Sequence, residues 1–117
     1  MKSLEQIIIS NDAIKNEFKD CKLNASLAFR VARFIERTDN IIKPFLVEKD
    51  KLIIEKYGEK VGEGFKVKDE CLNDFITEYK NLLAQEEDFD FTFDLELFKG
   101  VEVSAQFFTS MGDFIKE

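Results

Sequence analysis

Two groups of charged side chains hold most of the chemistry this sequence offers. Asp88, Asp90, Thr92, Asp94 and Glu96 alternate with Phe89, Phe91, Phe93, Leu95 and Leu97, so an extended chain would carry one acidic face and one apolar face. Carboxylates are hard oxygen ligands and could hold a divalent cation such as Mg²⁺ or Mn²⁺. At ~3.3 Å per residue, same-face neighbours on a strand stand roughly 7 Å apart, too far to converge on one ion without a bulge. The row therefore reads first as a solvated face that blocks edge-to-edge pairing. In a functional reading it faces a cationic groove on a partner. Arg30, Arg33 and Arg37 form the second group, a basic ridge at helical spacing. Such a ridge could contact phosphates, but Glu36 and Asp39 lie beside it, which favours arginines that are solvated or paired with carboxylates.

Other reactive constellations are missing. The chain has no histidine, which removes the commonest general base and the usual activator of serine or cysteine nucleophiles. Cys21 and Cys71 cannot make a usual zinc site without histidine. They read as reduced thiols packed like small apolar groups, with a disulfide from the first loop to the third helix as the alternative. Gly58, Gly62 and Gly64 suggest a phosphate cradle, but no Gly-Lys-Ser or Gly-Lys-Thr follows. Asp and Glu are plentiful, yet nothing marks out a catalytic pair. The 13 phenylalanines fall at helical or strand periods beside acidic residues, as a core does and a base-stacking platform does not. The expectation is a non-enzyme with no cofactor and no metal residues. Its partner-binding candidates are Asp88, Asp90, Asp94, Glu96, Arg30, Arg33 and Arg37.

The element that must position these residues is a long amphipathic helix over about 24–58. Asn24 can cap its first turn, with Leu23 as a hydrophobic staple. Leu27, Val31, Phe34, Thr38, Ile41, Phe45 and Leu52 share one face, and Ile35, Ile42, Leu46, Ile53 and Tyr57 widen it. Gly58 is expected as a left-handed C-cap. Pro44 lacks an N–H and crowds the carbonyl of Asn40. It predicts a bent rod, or two helices joined near Lys43. A rod of roughly 50 Å cannot bury its stripe against itself and needs partner helices from the same chain or from another subunit.

The remaining elements follow from period and caps. Ser3 and Gln6 form a capping box for a helix over about 3–20, with Ser10-Asn11-Asp12 as its weak point. A strand over residues 5–9 is the alternative, because three consecutive isoleucines favour extended structure. A turn over 58–64 precedes Phe65–Lys68, which could be a short strand. A helix over about 69–86 then places Leu72, Phe75, Ile76, Tyr79, Leu82 and Leu83 on one face. The acidic-apolar strand covers about 89–98, and Ser104 caps a C-terminal helix over about 104–116. The sum is a single α+β domain over residues 1–117, mostly helical: a long bent helix packed antiparallel with partner helices, a small β element and a short C-terminal helix.

Net charge is −7, and residues 61–117 carry five basic against 14 acidic side chains. That half disfavours nucleic acid or an anionic membrane as a partner. The chain has no apolar run of about 18 residues, and its start has no signal-peptide pattern. A soluble protein outside the usual secretory route is expected.

The order of elements resembles that of small helical proteins of unassigned function encoded by tailed bacteriophages and prophages. The resemblance rests on Lys22-Leu23-Asn24-Ala25-Ser26-Leu27-Ala28-Phe29 leading the long helix, and on its close at Leu52-Ile53-Ile54-Glu55-Lys56-Tyr57-Gly58-Glu59. Val101-Glu102-Val103-Ser104-Ala105-Gln106 and the final Phe114-Ile115 extend it over nearly the whole chain. It implies a phage or prophage origin and a place in the cytoplasm of a bacterial host or in the virion. It brings no catalytic residues. The expected function is a protein-binding module, an assembly factor or minor structural component with a phage or host protein as partner, or a homo-oligomer. The alternative is an inhibitor of a host defence or nucleic-acid enzyme that acts through its acidic surface.

Overall fold

The computed structural model describes residues 1–19 and 22–116. After β1 (Lys2–Ser3), the Ser3 hydroxyl accepts from the Gln6 N–H, and the Gln6 side chain accepts from the Ser3 N–H at 2.9 Å. This box starts α1 (Leu4–Glu17). Helix prevails at Ile7-Ile8-Ile9 because it aligns Leu4, Ile7, Ile14 and Phe18 on one buried face. Ser10 and Asn11 do not break it. Ser10 Oγ donates back to the Ile7 carbonyl at 2.9 Å, while Asn11 Nδ2 reaches across to the Thr38 hydroxyl at 2.7 Å. A sequence feature expected to weaken the helix is instead a polar tie between two helices.

Asn24 accepts from the Leu27 N–H at 2.9 Å and caps α2 (Ala25–Lys51), the long helix. It runs through Pro44 without a break. Asn40 and Pro44 are both exposed, so water can satisfy the carbonyl that loses its partner. The last five residues, Leu52–Lys56, widen into a π-helix, with the Tyr57 N–H donating to the Leu52 carbonyl at 2.8 Å. This wider turn explains Gly58. A Cβ there would overlap the Ile53 carbonyl oxygen, and Gly58 has no positive φ. The glycine is required for space, and the left-handed cap expected of it is not formed.

Instead of a simple turn, β2 (Gly58–Val61) and β3 (Gly64–Val67) make an antiparallel hairpin across Gly62-Glu63. Gly62 takes φ 61 at the first turn position, where mirror-image hairpin turns favour glycine. The 3₁₀ turn Asp69–Cys71 leads into α3 (Leu72–Leu83), shorter at both ends than expected. Cys71 is a free, half-buried thiol, and the expectation for Cys21 lies outside the described residues.

β4 (Glu86–Glu87) pairs antiparallel with β1. The expected strand over 89–98 shrinks to β5 (Phe93–Asp94), because residues 88–92 join no ladder and Leu95–Phe98 turn as 3₁₀. Ser104 caps α4 (Ala105–Met111). Gly112, at φ 45, ends it well short of 116. β6 (Ile115–Lys116) then lies parallel to β5.

The architecture is α+β and mostly helical, with α2 packed antiparallel against its partner helices. No helix among the described residues is long and apolar enough to cross a membrane. The core is aromatic and sits at the α1–α4 end. Phe34, fully buried, has the rings of Phe89, Phe91, Phe93 and Phe114 at centroid distances of 5.8, 5.3, 5.3 and 5.5 Å. Phe18, Phe98, Phe107 and Phe108 continue the cluster. The opposite end is an arm made of the end of α2, the hairpin and the start of α3. The molecule measures 51 × 31 × 23 Å with a radius of gyration of 17.2 Å, against about 13 Å for a compact domain of this length.

Replacing Phe34 by Ala removes the ring that the other four surround and should cost about 3–5 kcal/mol. Chemical denaturation monitored by circular dichroism measures it. A loss below about 1 kcal/mol would contradict this placement of the core.

Candidate interaction surfaces

Three surfaces qualify, and two were visible in the sequence. The first is the segment over residues 88–96. Its phenylalanines point inward and Asp88, Asp90, Asp94 and Glu96 outward, as the alternation requires. The pattern breaks at Leu95, which the 3₁₀ turn leaves exposed while Phe98 takes the inward place. Among the described residues these four carboxylates form no ion pair, and no group of three ligating side chains gathers anywhere.

The arginine ridge lies against this same segment. Arg30 donates to the Thr92 carbonyl at 2.5 Å, and its guanidinium stacks at 4.3 Å from the Phe91 ring centroid. It thus acts as a clamp that fixes the acidic segment to α2. Arg37 sits 5.3 Å from the same ring, and Arg33 sits 5.8 Å from the exposed ring of Phe29. Among the described residues none of the three arginines pairs with a carboxylate. Asp39, their neighbour in sequence, is taken by Lys15 at 2.9 Å and by Asn11 at 3.0 Å. Sequence spacing had placed the arginines on one ridge but could not show that they rest on aromatic rings.

The third surface was not singled out from sequence. Ile9 of α1, Leu46 of α2, and Tyr79 and Leu83 of α3 line a groove of about 420 Å³ floored by Ile42 and Phe45. The α3 stripe continues beyond the groove to Ile76 and Leu72, which are 37% and 46% exposed. Despite an apolar face of six residues, α3 buries none of its side chains fully. The signal was available in the amphipathic period of 72–83. What the period could not reveal is that α1 and α2 cover only one edge of that face.

Where the arm joins α3, Lys56 bonds Glu78 at 2.8 Å. That bond raises the lysine pKa and lowers the glutamate's, and Glu78 also pushes the Tyr57 phenol up. Glu78 Oε2 is shielded from solvent, and the Tyr57 phenol is, after Lys56, the second group that lowers the Glu78 pKa. Comparison with protein-family models, with curated proteins and with solved structures finds no match for this chain.

The Asp39 pKa lies below its ordinary 3.8, first because of the bond from Lys15, with burial opposing and the Asn11 bond adding. A depressed carboxylate pKa means that the fold favours the charged form. Its stabilisation is therefore full above 3.8 and lost as pH falls through the lower folded value. For a pair this exposed the effect should stay below about 1 kcal/mol. In urea titrations, Asp39→Asn should trail the wild type at neutral pH and trail it by less at a pH below 3.8, where the stabilisation is being lost. An equal gap at both pH values would contradict the assignment.

Proposed function

We propose that the protein is a non-enzymatic protein-binding module that works as an assembly factor or minor structural component of the phage type its sequence resembles. The observation that carries this reading is the third surface: an apolar stripe on α3, left half-covered, beside an open groove. Exposed apolar area of this kind on a soluble domain marks an interaction site. The composition supports the same reading. Without histidine and without a gathered carboxylate set among the described residues, the side chains offer contact more readily than catalysis.

Contact through the arm also suits the charge distribution. Residues 46–83 carry seven basic and nine acidic side chains, a near-balanced surface, whereas most of the negative charge lies elsewhere. A protein partner meets little long-range repulsion there.

Site-specific photocrosslinking tests the reading. A photoreactive residue at position 76, introduced in bacteria carrying a tailed phage, should give one or a few discrete polypeptide adducts. The same residue at exposed position 106 should give none. An absence of adducts from position 76 would overturn the reading.

A further inference from the structure

From the α3 stripe we infer that the partner seated on the arm is a second copy of this chain, packed α3 against α3 about a two-fold axis near Ile76. The inference rests on the binding-module reading and names its occupant. Three observations lead to it.

The first is area. The chain exposes 8095 Å², whereas a compact monomer of this mass exposes about 6,600 Å². The excess, roughly 1,500 Å², exceeds the ~800 Å² that each partner of a stable interface contributes. The surplus belongs to the whole elongated molecule, and it leaves room for one isologous contact on the arm.

The second is shape. Leu72, Ile76, Tyr79 and Leu83 fall at helical spacing along one line of α3, with Tyr79 and Leu83 inside the groove and Leu72 and Ile76 beyond it. Half of the stripe is therefore a ridge and half is the wall of a groove. Turning a second copy by a half-rotation near the middle of the stripe brings each ridge over the other's groove, which is the self-complementarity a two-fold contact requires.

The third is charge. Within α3 the first turn carries Asp74 and the last turn carries Lys80, with Lys68 and the pair Glu86-Glu87 just outside the two helix ends and Lys49 in the groove. Lys15 in the same groove is already neutralised by Asp39, and Glu5 and Asp12 lie on the far, α1 wall. An antiparallel pair of α3 helices centred near Ile76 sets Asp74 of each beside Lys80 of the other. A parallel pair would stack like charges.

Light scattering with size-exclusion chromatography on the purified chain tests the inference. At micromolar concentration the mass should be about twice the 13.6 kDa of one chain. Ile76→Asp should weaken self-association by about 30-fold or more with an unchanged circular dichroism spectrum, because residue 76 is already partly exposed. Asp90→Asn, at the other end of the molecule, should leave the mass unchanged. Ile76→Cys, in a chain with Cys21→Ser and Cys71→Ser, should cross-link to itself on oxidation. A single-chain mass for the wild type, or a dimer indifferent to both changes at position 76, would overturn the inference. A single-chain mass together with a photocrosslink from position 76 to a different polypeptide would overturn the second copy alone and leave the binding module standing.

Discussion

The fold depends on the contact between Phe34 and the rings of Phe89, Phe91, Phe93 and Phe114. Phe34 belongs to the long helix, and the other four lie far away in sequence. Each edge-to-face or tilted pair adds about 0.5–1.5 kcal/mol beyond the area it buries. Without them residues 88–94 would have little to hold them, since only Phe93 and Asp94 join a ladder in that stretch. Arg30 completes the attachment from outside, with a hydrogen bond to Thr92 and a guanidinium over Phe91. The acidic segment is therefore fastened by aromatic packing more than by sheet pairing.

Concentrating the aromatics at one end leaves the other end thinly covered. α2 spans most of the 51 Å length, but its own phenylalanines end at Phe45. Beyond that point the helix widens into a π-turn, hands over to a hairpin, and is flanked by α3 with no fully buried residue. The Lys56–Glu78 pair, the contact between Phe45 and Tyr79 at 5.9 Å, and the packing of Leu82 and Leu83 against the core tie the arm down. Solvated ion pairs of this type contribute little on their own. The same feature that makes the arm weak as a domain edge makes it available as a contact surface.

The sequence displayed some of this plainly. Asn24, the four-three spacing through Phe45, and the Ser3–Gln6 box identify both helices, because caps and period are local signals. The alternation over 88–96 identified which side chains face inward, but period two says nothing about whether a neighbouring strand exists to pair with. Gly58 was recognised as a breaker, yet its cause is the displaced Ile53 carbonyl, which only the π-turn produces. The structural roles of Arg30 and Asn11 were not legible for a different reason: their partners, Thr92 and Thr38, are distant in the chain. The uncovered stripe on α3 was hidden in plain view, since amphipathicity says that a face wants cover and not whether it receives it.

Amide hydrogen exchange of the wild-type protein, followed as a function of its own concentration, tests most directly whether the arm is incomplete until a partner covers it. In dilute solution the amides of residues 72–83 should exchange well before those of 27–45, and their protection should rise with concentration while that of 27–45 stays constant. Equal protection of the two segments at dilution, unchanged on concentrating, would contradict the account.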